Sequence, residues 1–227
     1  MDYQKTKRKS PDKDPKVIAI MNQKGGVGKS TTGLGDAVTA AHTPTLDKLL
    51  ATCKNVYIKA HGTAVGLPSD EDMGNSEVGH NALGCGQVYS QGAKLVEEAI
   101  ESGEIFNSSA WQELKNNCVA NDSAMHFLGL LSDGNVHSNI NHLIALIKGA
   151  KRDGIKKVFV HVLLDGRDVP ATSALQYVDM LENAMAEMND ESFSAKITSG
   201  GGRMTITMDR YFANWDMVKR GFYTHVY

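Results

Sequence analysis

Ser76 sits in Gly74-Asn75-Ser76-Glu77-Val78-Gly79-His80, a small-residue turn that opens onto helix-forming sequence with a histidine close behind. Such a turn exposes a hydroxyl for chemistry. A serine is a poor nucleophile at neutral pH and needs a base or a metal ion to act as an alkoxide. Gly-Asn-Ser is also ordinary turn and N-cap chemistry, and the local pattern alone favours that plainer reading. Three later segments give the serine company: Ser132-Asp133-Gly134 with His137, Asp165-Gly166-Arg167-Asp168, and Gly200-Gly201-Gly202-Arg203 leading to Arg210. Arg167, Arg203 and Arg210 are forked donors suited to phosphate and carboxylate oxygens, and their number fits a small, multiply anionic ligand. A fourth segment, Lys24-Gly25-Gly26-Val27-Gly28-Lys29-Ser30-Thr31, is a glycine-rich loop behind a short β-branched run. Its backbone N–H groups and lysines suit phosphate oxygens, and its hydroxyls suit Mg²⁺.

These residues need a scaffold, and the apolar periodicity supplies one. Strands are expected over 17–21, 55–60, 126–131, 157–164 and 194–197. Between them, Thr43 and Pro44 start a helix carrying Leu46, Leu49 and Leu50. Ile140, Leu143, Ile144 and Ile147 repeat at helical spacing, as do apolar residues over 174–188. Alternating strands and helices predict an α/β fold with a largely parallel sheet and flanking helices. All three later segments then fall where a strand ends and a helix begins, which is where open α/β sheets bind ligands.

Composition narrows the classes. The chain has 227 residues, 41% hydrophobic and 22% charged, which is globular and enough for one large domain or two small ones. A net charge of −2 gives no electrostatic case for nucleic acid. The three cysteines, Cys53, Cys85 and Cys118, have no C-x-x-C spacing, which argues against a disulfide framework or zinc site and for a reducing, cytoplasmic setting. No apolar run approaches the ~20 residues of a membrane span, and the polar N-terminus is unlike a signal peptide. Residues 1–15 carry Lys5, Lys7, Arg8 and Lys9 diluted by Asp2, Asp12 and Asp14, and are expected to be a disordered basic tail. The eight histidines show no metal-ligand spacing, so most are expected to be structural or exposed.

In their order, the Ser76 segment and the three that follow it resemble the cofactor-independent phosphoglycerate mutases of the alkaline-phosphatase superfamily, over about residues 35–227. The resemblance implies metal-dependent interconversion of 3-phosphoglycerate and 2-phosphoglycerate. Ser76 would contact Mn²⁺ or Mg²⁺ and accept the phosphoryl group. His137, Arg167, Asp168, Arg203 and Arg210 would hold the substrate, with Asp168 a candidate for handling the hydroxyl proton. It further implies a partial phosphatase-type domain over 35–85 and a partial substrate-binding domain over 86–227, incomplete relative to the two-domain mutase. Other metal ligands of that family belong to a region beyond this sequence, so impaired turnover is the expectation; the alternatives are an ATP-binding P-loop protein or a non-catalytic fragment that needs a partner chain. Residues 16–34 are different. Lys16 to Thr32 resembles the deviant Walker A loop of ParA/MinD-type partition ATPases, with Lys24 as the signature lysine and Gln23 where the strict pattern has glycine. That resemblance implies ATP with Mg²⁺ at Lys24, Gly25, Gly26, Gly28, Lys29, Ser30 and Thr31. Gly33 and Gly35 interrupt the helix expected behind it, each at about 1 kcal/mol. The loop stands where the mutase family carries its first metal aspartate.

Overall fold

The computed structural model describes residues 17–20, 41–72, 74, 76–207 and 214–226. The loop 24–31, the 1–15 segment and Arg210 lie outside them. Strand β1 (Val17–Ile20) pairs in parallel with β2 (Lys54–Tyr57), Val17 opposite Lys54 and Ile20 opposite Tyr57. Between them runs α1 (Pro44–Thr52), with its proline in the first turn as expected. The Thr43 carbonyl accepts the Asp47 N–H at 2.9 Å, but its side chain caps no backbone N–H; the hydroxyl donates instead to the Asp47 carboxylate at 3.0 Å.

After a 3₁₀ turn at Gly62–Val65 come α2 (Ser76–Cys85), α3 (Gly92–Glu101), α4 (Glu104–Asn107) and α5 (Ser109–Ala120). Ser108 caps α5 by accepting the Trp111 N–H. A three-stranded parallel sheet follows in the order β3-β4-β5: β3 (Met125–Leu131), β4 (Lys157–Leu164) and β5 (Ser194–Gly202). Helices α6 (Ile140–Arg152) and α7 (Ala174–Met188) make the two crossovers. Both crossovers step the same way along the sheet, and right-handed connection then puts both helices on one face. They pack together there over Val158, Val160 and Ala195, with Ile147 and Leu181 fully buried. Alternation along β4 turns His161 to the opposite face, where α9 (Trp215–Val226) lies against β5 behind the short α8 (Arg203–Ile206).

The α/β expectation is met, with one correction that affects the site. The expected strand at 194–197 runs on to Gly202, because a bulge between Val160 and His161 shifts the register and lets Ser199 to Gly202 pair with His161 to Leu164. The glycines are strand residues, not a loop. A Cβ on Gly200 would stand 2.5 Å from Val162 Cγ2 and 2.7 Å from the Val162 carbonyl oxygen, so only glycine lets the strands approach this closely.

Candidate functional site

Each strand of the second sheet hands its last residues to one buried cluster. Ser132 follows β3, Asp165 follows β4 and Arg203 follows β5, and these are the buried polar residues of the described core. Ser132 Oγ donates to Asp165 Oδ2 at 2.6 Å. The other oxygen, Oδ1, accepts the N–H groups of Arg167 and Asp168, both at 3.1 Å, and Arg203 Nη1 at 2.7 Å. The same Nη1 reaches Asp168 Oδ2 at 2.7 Å. Burial alone would raise the Asp165 pKa, but the Ser132 hydroxyl, the Asp168 N–H and the Arg203 guanidinium overrule it and hold the carboxyl below its ordinary value. Burial likewise opposes the charge on Arg203, and the two carboxylates more than offset it.

Neighbouring bonds fix the loops themselves. Gly134 N–H donates to Ser132 Oγ at 3.4 Å, and a Cβ on Gly134 would come within 3.0 Å of Asp168 Cβ, so the first loop lies directly on the second. The buried Tyr177 on α7 donates its hydroxyl to Asp133 at 2.5 Å, and burial first, then that carboxylate, pushes its pKa up to about 12. Asn135, in the left-handed conformation that asparagine tolerates, donates to Asp72 at 2.8 Å and ties this loop to the segment just ahead of Ser76.

The expected site residues therefore divide. Asp168 and Arg203 meet in the cluster, Arg203 buried with Nη1 between two carboxylates. Arg167 is exposed beside them, its Nη1 3.9 Å from Met204 Sδ. His137 is exposed at the rim of a cavity of about 380 Å³ that also includes Phe127, Leu130, Leu143 and His142. Ser76 is the first residue of α2, which its glycine-led turn brings to a helix N-terminus; its side chain lies outside the described residues. Among the described residues no three His, Cys, Asp or Glu side chains converge to hold a metal ion. The metal expected at Ser76 thus finds no described companion ligands, and no chemical step is routed through it.

Reading the sequence by segment missed Ser132 as a partner for Asp165, because nothing local marks two residues 33 apart as bonded. It also missed a second cluster, on the sheet face away from α6 and α7. His126 Nδ1 and His161 Nε2 are 2.9 Å apart with ring planes nearly parallel. His161 Nδ1 lies 2.6 Å from Ser199 Oγ, which lies 2.8 Å from His225 Nδ1 on α9. Burial, then the charges His126 and His225 can take, lower the His161 pKa. A histidine with a depressed folded pKa lends stability that is complete above its unfolded value near 6.5 and is lost as pH falls toward the folded one. Cutting the chain with Ser199→Ala is expected to speed amide exchange along α9 several-fold, read by hydrogen–deuterium exchange, and to leave α7 unchanged.

The fold is that of an α/β protein whose carboxylate and arginine groups gather at the carboxyl ends of a parallel sheet, where open sheets of this kind place their ligands. The family follows from residues 96–227, which match the BPG-independent PGAM N-terminus, and the chain belongs to that family. It is 49% identical over 98% of its length to a protein of Leptospira interrogans named a probable 2,3-bisphosphoglycerate-independent phosphoglycerate mutase, and 48% identical over 86% to the Zea mays protein of that name. A solved structure described as Leishmania mexicana phosphoglycerate mutase at low cobalt concentration superposes with a TM-score of 0.77 at 46% identity, covering 93% of this chain and 39% of that one. The chain spans 40% of the Leptospira relative's length and 35% of the maize relative's. Among the described residues no helix is long and apolar enough to cross a membrane.

Proposed function

We propose that this chain supplies the phosphoryl-accepting serine and the substrate-holding loops of a 2,3-bisphosphoglycerate-independent phosphoglycerate mutase. The observation that carries the reading is the convergence of Asp168, Arg203 and the exposed Arg167 at one sheet edge, in a chain of this family. In the proposed reaction Ser76 Oγ gives up its proton and forms a bond to the phosphorus of 3-phosphoglycerate as the bond to the 3-oxygen breaks, and that oxygen takes up a proton in exchange. The 2-hydroxyl then passes its proton to Asp168 and attacks the phosphoserine, and Ser76 Oγ leaves and takes a proton back as 2-phosphoglycerate forms. Arg167 offers its fork to phosphate or carboxylate oxygens. Asp168, held by Arg203 through Oδ2, keeps its other oxygen for the hydroxyl proton. His137 and Arg210 complete the grip. Mn²⁺ or Mg²⁺ belongs to this reading by family, and a cytoplasmic setting fits the substrate.

A coupled assay from 3-phosphoglycerate with added Mn²⁺, run beside Ser76→Ala, tests it. Turnover or a phosphoserine at Ser76 in the wild type, absent from Ser76→Ala, is the expected result; a wild type that neither turns over nor binds 3-phosphoglycerate sinks the reading. ATP at Lys24 to Thr31 rests on sequence alone, and titration of a fluorescent ATP analogue against Lys29→Ala measures it separately.

A further inference from the structure

We propose that Asp165 is a positioning residue, one that acts on the ligand only by setting where Arg203, Asp168 and the Arg167 turn stand. The inference rests on the phosphoglycerate reading for its ligand and on geometry for its mechanism. An ionised carboxylate has room for about four hydrogen bonds. Asp165 already accepts four, from Ser132 Oγ, Arg167 N, Asp168 N and Arg203 Nη1. Its side chain is 1% exposed. Three of the four fall on Oδ1, which is saturated, and burial keeps the remaining position on Oδ2 away from a ligand.

What those four donors share is their origin at three different strand ends. Each strand end is free to drift by itself, since a parallel sheet pins only the paired residues. A single carboxylate that bonds to all three turns them into one body. The two N–H bonds fold the 165–168 segment back on its own first residue, a turn that aspartate and asparagine side chains both support. The Arg203 bond is different in kind. It places the guanidinium where Nη1 also meets Asp168, so the proton-handling carboxylate is fixed at second hand. Ser132 closes the set from β3 and carries the 132–137 loop, with His137 at its end, into the same frame.

Asp165→Asn separates positioning from simple structural support. Asparagine keeps the shape and an oxygen for the two backbone N–H groups, but it withdraws the charge that draws Arg203 in. The expected result has three parts on the full chain: a loss of melting temperature smaller than that of Asp165→Ala, because Asp168 still pairs Arg203, a 3-phosphoglycerate affinity at least about tenfold weaker by calorimetry, and guanidinium N–H resonances of Arg203 that exchange with water at least about tenfold faster by NMR. Asp165→Ala, which also loses the turn, is expected to lose more melting temperature.

Arg203 resonances that are unchanged in Asp165→Asn overturn the proposal. So does a loss of affinity that simply tracks the loss of melting temperature across Asn and Ala. If the wild type does not bind 3-phosphoglycerate, the substrate reading fails by itself, and the Arg203 exchange rates still decide whether Asp165 positions the guanidinium.

Discussion

Arg203→Ala is expected to destabilise the chain by about 3–5 kcal/mol, the range for breaking a buried ion pair by removing one partner. The reason lies in what remains. Asp165 stays in a site where its side chain is 1% exposed, with its strongest countercharge gone, while Asp168 loses the same donor. Urea unfolding at neutral pH measures the loss. The pH dependence adds a signature. In the wild type the Asp165 pKa is below its ordinary 3.8, so its contribution is present above that value and is lost as pH falls through the folded pKa. In Arg203→Ala burial is less opposed, the carboxyl protonates more readily, and the penalty shrinks. The gap between the two proteins is therefore expected to be widest at neutral pH and to narrow below about pH 4. A gap that stays constant with pH would mean that Arg203 stabilises by packing and not by charge.

The second large effect is expected at Gly74. A Cβ there would stand 1.9 Å from the Ala60 carbonyl oxygen and 3.2 Å from His61 Cα, both backbone atoms that cannot rotate away. Gly74→Ala must push the turn that delivers Ser76 off the segment after β2, at an overpacking cost of about 1–3 kcal/mol. Phosphorylation of Ser76 from 3-phosphoglycerate is expected to fall much further than stability, since phosphoryl transfer is sensitive to displacements of about 1 Å. Gly79→Ala is the internal control. It lies within α2 with nothing inside 4 Å of the added carbon, so it is expected to stabilise the helix by up to about 1 kcal/mol. Equal losses from both substitutions would show that the close approach at Ala60 is unimportant.

Much of this arrangement is legible along the chain, where the signals are local. The apolar run at 157–164 gives β4, the stripe over 174–188 gives α7, and the Ser-Asp and Asp-Gly-Arg-Asp segments mark strand ends because turn residues follow apolar runs. What depends on register is not legible. Glycines at 200–202 read as a loop by composition, yet beyond the register shift at Thr198 they stay in the ladder. Arg203 reads as a forked grip for an anion, while Nη1 in fact bridges two carboxylates of its own chain, one of them 38 residues away. The histidines at 126, 161 and 225 have no spacing that announces them; adjacent parallel strands and a helix laid across β5 bring them into line.

Asp165 also bears on how the chain reaches this state. Bringing β3 to β4 closes a loop between Ser132 and Asp165, 33 residues apart, and bringing β5 to β4 closes one between Asp165 and Arg203, 38 apart. Loop-closure entropy grows so slowly with length that the two closures cost nearly the same. After the first alone, Asp165 has the Ser132 hydroxyl but no countercharge, and a half-built sheet would have to desolvate an uncompensated anion. That state is disfavoured until the third strand delivers its arginine. The carboxylate that braces the finished site therefore weighs against a two-stranded intermediate in which Asp165 is already buried.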